Sequence, residues 1–123
     1  MSAPTGNQSR RLHQAMRELV AFFLAGEGFD AKAKPVHTRI SSALEYAMVP
    51  DVDGLPGVYL DVSARGSHRL STDLDNARES ATIAGYPVTA LVQHRGGRGI
   101  DEAYAILTLA DLAKLARSAG RTP

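Results

Sequence analysis

Cysteine is absent from this 123-residue chain. That excludes a disulfide framework and a thiolate metal site. No apolar run approaches the roughly 18 residues that cross a bilayer. The opening segment, 1–8, is small and polar and lacks the apolar centre of a secretory signal. It reads as disordered, as does the tail at 119–123. With nothing pointing to export, a cytoplasmic setting is expected. Lysine is scarce: 3 Lys (Lys32, Lys34, Lys114) against 11 Arg. Arginine's planar fork suits phosphate, whereas lysine is a point charge whose pKa shifts when buried. Ala-, Gly- and Arg-rich composition also follows from GC-rich coding. Aromatics are few, and no aromatic-rich strand offers a stacking platform for single-stranded nucleic acid.

What remains is the composition of one globular domain, 44% hydrophobic with a net charge of +1. The length suffices for one core and is too short for two, so a single domain over 9–118 is expected. Ser9 is placed to cap a first helix over 10–25, with an apolar stripe of Leu12, Ala15/Met16, Leu19 and Phe22/Phe23. Gly26 and Gly28 end it. A loose edge strand over 29–37 follows, then a turn at 38–42 and a strand over 44–49. Pro50 and the run Gly54-Leu55-Pro56-Gly57 mark a tight connection. Residues 58–62 alternate as a strand, with Val58, Leu60 and Val62 on one face and Tyr59, Asp61 and Ser63 on the other. A basic loop at 64–69 leads to a helix that Ser71 or Thr72 caps. Its stripe of Leu74, Ala77, Ala81 and Ala84 is small enough to lie close on a sheet. The run 88–93 reads as a central strand buried on both faces. A Gly/Arg loop, a strand over 103–107 and a helix from Thr108 to about 116 complete the order α-β-β-β-α-β-β-α.

One constellation carries chemistry. Two strands joined at the Gly-Leu-Pro-Gly turn bring Asp51 and Asp61 to the same end of a sheet, and alternation puts Ser63 on the face of Asp61. Paired carboxylates among apolar neighbours suit a hard divalent cation. Such a cation polarises a phosphate and activates water. Against this stands the plainer possibility that Asp51 and Asp53 are turn residues and Asp61 a solvated strand position. His13 and His37 have no partners at metal-ligand spacing. Gly96-Gly97-Arg98-Gly99 leads into a strand, so it is not a phosphate-binding loop that opens a helix.

The segment from Asp51 through Gly54-Leu55-Pro56-Gly57 to Leu60-Asp61-Val62-Ser63 resembles the active-site hairpin of the PD-(D/E)xK nuclease superfamily. More narrowly it is similar to the small Holliday junction resolvase-like nucleases of actinobacterial phages. The similarity runs on through the helix at 75–81, the strand that Tyr86-Pro87-Val88 opens, the basic loop at 92–99 and the ending at 104–112. It implies a restriction-endonuclease-like mixed sheet with flanking helices. It also implies Mg²⁺- or Mn²⁺-dependent cleavage of branched or duplex DNA, a role in DNA recombination, a homodimer and no membrane association. If the gene is a phage's, the setting is the bacterial host cytoplasm.

Carried over by position, Asp51 and Asp61 are the metal ligands and Ser63 stands where the family has its lysine. Serine supplies no charge there. Related resolvases often carry a Glu on the first helix; Glu18, on the flank of the apolar stripe, is the candidate for it, with a solvated helix position as the plainer reading. Arg65, two residues past Ser63, would clamp a phosphate but cannot act as a base. Lys34, on a neighbouring strand, is the other cation within reach. Arg10, Arg11, Arg65, Arg69, Arg95 and Arg98, together with His68 and His94, surround the hairpin as candidate DNA contacts. The alternative implied by Ser63 is a catalytically degenerate nuclease fold that serves as a DNA- or protein-binding module.

Overall fold

A computed structural model describes residues 6–35, 48–63 and 70–120, with side chains from Arg11 onward. The elements in chain order are α1 (Gly6–Gly26), β1 (Lys32–Ala33), β2 (Val52–Asp53), β3 (Val58–Ser63), α2 (Leu70–Ala84), β4 (Val88–Gln93), a 3-10 turn (Ile100–Glu102), β5 (Tyr104–Ile106) and α3 (Leu109–Gly120). The five strands form one mixed sheet in the order β1-β2-β3-β4-β5. Only β3 and β4 pair in parallel; the other neighbours are antiparallel. No helix among the described residues is long and apolar enough to cross a membrane.

Among the described residues the succession is α-β-β-β-α-β-β-α, but its second strand is not the one expected and several boundaries differ. α1 begins at Gly6 rather than beyond Gln8, and α3 continues to Gly120 instead of stopping near 116. The first strand shortens to two residues of the span 29–37. Most of the expected strand over 44–49 and the turn at 38–42 lie outside the described residues, and Met48 and Val49 are in a turn. The strand beside β3 is instead Val52–Asp53, inside what read as a connection. Gly54 makes this possible. Its φ is 107°, and a β-carbon there would collide with the backbone carbonyl of Asp30, so β2 leaves the pairing with β1 only where the side chain is hydrogen.

β3 and β4 are apolar on both faces because helices cover both. Val58, Leu60 and Val62 of β3, with Val88, Ala90 and Val92 of β4, pack against Met16, Val20 and Ala21 of α1, and Leu115 of α3 joins them. On the opposite face Tyr59 packs with Ala77 and Ala81 of α2, so the small-residue stripe expected of that helix does bring it close. Tyr86 closes this side with an edge-on contact to Tyr59, ring centroids 5.4 Å apart.

The phase of α1 corrects the sequence. Leu12, Leu19 and Phe22, three members of the expected core stripe, are exposed, Phe22 at 79%. The face that packs is rotated toward Met16, Val20 and Ala21, and it carries Arg17, only 8% exposed, along with it. A buried arginine is costly unless paired. Its partner explains the rotation.

β5 pairs with β4 at Leu91–Gln93, and among the described residues the start of β4 has no strand neighbour on that side. Asp111 fills the gap. Its buried Oδ2 accepts the Thr89 N–H at 3.0 Å, while its own N–H donates to Thr108 Oγ1 at 3.2 Å. Thr108 thus caps α3 as the sequence indicates, but the acid three residues on serves β4 rather than the cap.

Candidate active site

The Gly-Leu-Pro-Gly turn folds β2 back on β3 with Val52 opposite Leu60. Asp51, one residue before β2, is thereby brought across from Asp61. Their link is direct: the Asp51 N–H donates to Asp61 Oδ1 at 3.1 Å. Asp51 in turn accepts the Val62 N–H on Oδ2 at 2.8 Å. The expectation that these two acids share one end of the sheet therefore holds.

Three basic side chains converge on Asp51. Arg17 Nε lies 2.9 Å from Oδ1, Lys34 Nζ 3.6 Å from Oδ1, and His13 Nε2 3.3 Å from Oδ2. His13 and Arg17 come from α1 at i and i+4, one turn apart on the packed face. Lys34 follows β1. It is buried and also donates to Val49 O at 3.0 Å. Gln14 ties α1 to this corner, donating to Lys34 O at 3.1 Å and accepting from Arg17 Nη1 at 3.0 Å.

The two acids respond oppositely. Burial pushes the Asp51 carboxyl up, but the hydrogen bonds from His13 and Val62 and the charge of Arg17 outweigh it, leaving it below the usual carboxylate value. Asp61 is pushed up to about 6, first by burial and then by the negative charge of Asp51; Lys34 and the Asp51 N–H only partly offset this. Two titratable groups driven apart by one environment are a mark of functional sites.

A divalent cation in this corner would share Asp51 with the three basic groups already on its carboxylate. Among the described residues no three His, Asp or Glu side chains converge to hold a metal. Asp51, Asp61 and the Val62 carbonyl are the available oxygens. His13 Nε2 is 2.8 Å from Val62 O as well as 3.3 Å from Asp51 Oδ2, so two acceptor oxygens already converge on one polar hydrogen. Magnesium-type ions are commonly held by one or two carboxylates, the remaining positions falling to water and substrate phosphate.

The remaining sequence candidates divide clearly. Ser63 is buried at the end of β3 on the alternate set with Tyr59 and Asp61. Lys34, not a residue of β3, supplies the ammonium group beside the acids. Glu18 does not join the cluster. It is exposed and accepts from Gln14 at 3.3 Å, because the rotation that buries Arg17 turns it outward. Arg11 is exposed on α1. Arg95 lies over the Tyr104 ring, 4.5 Å from its centroid, and Arg98 pairs with Glu102 at 3.2 Å. Arg65, His68 and Arg69, the side chain of Arg10, and His37 lie outside the described residues. A surface cleft lined by Pro56, Gly57, Pro87, Lys114 and Arg117 sits at the other end of β3 and shares no residue with the acid pair.

Arg17 has no place in the sequence reading, and His13 enters it only as a metal ligand without partners at the right spacing. The signal available was their place among Met16, Val20 and Leu24, two polar residues on a face otherwise fit for a core. In comparison with known proteins, no family model matches the chain and no curated protein shows significant similarity to it.

Proposed function

We propose that this protein is a metal-dependent endonuclease acting on branched or duplex DNA, with Asp51, Asp61 and Lys34 as its working groups. The observation that carries the reading is the Lys34 ammonium, buried and 3.6 Å from Asp51 Oδ1, in a corner where Asp61 is held beside Asp51. Ser63 left the hairpin without a cation; Lys34 brings one from the adjacent strand. In this reading Asp51, Asp61 and the Val62 carbonyl hold Mg²⁺ or Mn²⁺. When bound, the ion supplies Lewis-acid polarisation of a phosphate oxygen and a more acidic water. Lys34 offsets negative charge developing on the phosphate. Arg17 keeps Asp51 ionised and oriented. Arg11, Arg95 and Arg98, with Arg10, Arg65 and Arg69, contact the DNA backbone without reading sequence.

A homodimer belongs to the same proposal, because two cuts in a two-fold symmetric junction call for two sites related by an axis. Leu12, Leu19 and Phe22 of α1 are among the exposed apolar side chains of the described residues that could serve it. Light scattering at micromolar concentration tests this, and a monomer there counts against it.

A second reading has its own observation. Arg17 adds a positive charge at 2.9 Å that offsets Asp51 without any metal. This suits a nuclease-like fold that binds DNA or protein and no longer cuts. Cleavage of a synthetic four-way junction with Mn²⁺, beside binding to the same junction, separates the two. Cutting that Lys34→Met reduces by two orders of magnitude or more, on the scale of lost electrostatic contacts, supports the first. Tight binding with no cutting of any substrate supports the second.

A further inference from the structure

The end of the sheet away from the acids carries a cleft of about 350 Å³ that the nuclease reading does not use. It lies where the turn before β3, the turn before β4 and the second half of α3 meet. Val88 is buried and Leu115 half-buried, so they form an apolar base, and the rings of Pro56 and Pro87 are walls. Gly57 keeps the space open. Its φ of 75° favours glycine, and a β-carbon there would stand 3.6 Å from Pro87 Cγ, adding bulk against the proline wall.

Every polar side chain of the lining comes from α3. Lys114 and Arg117, at i and i+3, share one side of the helix, and Ser118 adds a hydroxyl. The backbone carbonyls nearby are already satisfied. Gly57 O accepts the Val88 N–H at 3.2 Å, and Pro87 O accepts from Lys114 Nζ at 3.0 Å. That bond uses one of three ammonium hydrogens, and Asp111 Oδ1 at 3.6 Å draws on a second. The Arg117 guanidinium makes no ion pair or hydrogen bond among the described residues. Its charge suits the negative end of α3, and its donors stay available. Two cations and the Asp111 carboxylate leave the cleft with one net positive charge.

We propose that this cleft binds a small organic monocarboxylate with an apolar body. The carboxylate meets Arg117 and the remaining hydrogen of Lys114, with Ser118 as a further donor. The body lies between the two prolines, over Val88 and Leu115. Three features select this class. One net positive charge matches a monoanion better than a doubly charged phosphate. The volume is far more than an inorganic ion fills and falls at the small end of organic ligand sites. Polar groups line one side only, so a ligand polar along its whole length would lose hydrogen bonds against the prolines. The site is independent of the nuclease reading and goes beyond it.

A ¹H–¹⁵N titration of the full chain with phenylacetate, its neutral isostere phenylacetamide and inorganic phosphate tests this. Phenylacetate should shift the amides of Gly57, Val88 and Lys114 to Ser118 to saturation, with a Kd on the order of millimolar, the scale for so few heavy atoms. Phenylacetamide should bind about tenfold more weakly or less, because it lacks the charge that strengthens the hydrogen bonds. Phosphate should not displace phenylacetate. Arg117→Gln should weaken phenylacetate by about tenfold, and Lys114→Gln gives the same reading if that variant does not fold. Ser118→Phe, at an exposed position, should fill the cleft and remove saturable binding. No saturation by wild type at about ten times the expected Kd, equal affinity for acid and amide, displacement by phosphate, or unchanged affinity in these variants overturns the proposal.

Discussion

Asp51 gives its backbone N–H to Asp61 Oδ1 at 3.1 Å and takes the N–H of Val62 on its own Oδ2 at 2.8 Å. The two acids are thus fixed to each other by the main chain of the hairpin, independently of any cation. One is stabilised as an anion by three basic neighbours. The other, buried and beside that anion, holds its proton more tightly.

This difference sets a pH dependence of stability. Asp61 rises from an ordinary 3.8 to about 6. The folded state therefore binds that proton more tightly than the unfolded chain does. Its contribution is complete below the unfolded value and is lost as pH climbs through about 6. Asp51 works in the opposite sense, contributing above its ordinary value and losing that contribution in acid. Urea unfolding should show wild type losing stability relative to Asp61→Asn between about pH 4 and 7, by on the order of 1–3 kcal/mol. A constant difference across that window would contradict the environment assigned to Asp61.

Removing Asp51 should harm the fold before it informs about catalysis. Asp51→Ala leaves Arg17 and Lys34 buried without the carboxylate they surround, and breaking a buried pair from one side typically costs about 3–5 kcal/mol. Chemical denaturation checks this. A loss below about 1 kcal/mol would mean that solvent reaches both cations easily, as at surface pairs.

Ser63 and Lys34 can be set against each other. With Lys34 beside Asp51, Ser63→Lys adds a second cation near one already present, so it should change Mn²⁺-dependent cleavage little in the wild-type background. In Lys34→Met it should restore part of the lost rate. The readout is initial rate on a four-way junction. Strong activation of wild type by Ser63→Lys would show that Lys34 does not supply the charge.

The loop arginines should report through salt. Arg95→Ala with Arg98→Ala should flatten the dependence of DNA affinity on salt by at most about two phosphate contacts. Glu102→Gln should strengthen binding, because Glu102 pairs with Arg98 at 3.2 Å. Fluorescence anisotropy across a salt series measures both. An unchanged slope removes this loop from the interface.

Asp111 makes a purely structural prediction. Asp111→Ala orphans the buried Thr89 N–H and should cost about 1–3 kcal/mol, while Asp111→Asn keeps an acceptor and should cost less. Equal losses in urea unfolding would mean that the charge, through Lys114 at 3.6 Å, matters more than the hydrogen bond.

The sequence by itself determined the mixed α/β class, the alternation of β3, the two-faced burial of β4, the close packing of α2 on small residues, and the meeting of Asp51 with Asp61. All of these follow from local alternation, turn residues and side-chain size, which act over a few positions. The short β2 at Val52–Asp53 was hidden, because two residues carry no periodicity, and the need for Gly54 depends on the Asp30 carbonyl far away in sequence. Only the tertiary structure decided which face of α1 packs. The sequence offered a stripe of Leu12, Ala15/Met16, Leu19 and Phe22/Phe23, whereas the face that packs keeps Met16 and adds Val20 and Ala21, and hydrophobicity alone does not choose between them. The second is the face that brings His13 and Arg17 to Asp51, and ion pairing at a distance of more than 30 residues leaves no local trace. Lys34 entered the site for the same reason. Its position in the chain is that of an edge residue, and only the pairing of β1 with β2 sets its ammonium group beside the acids.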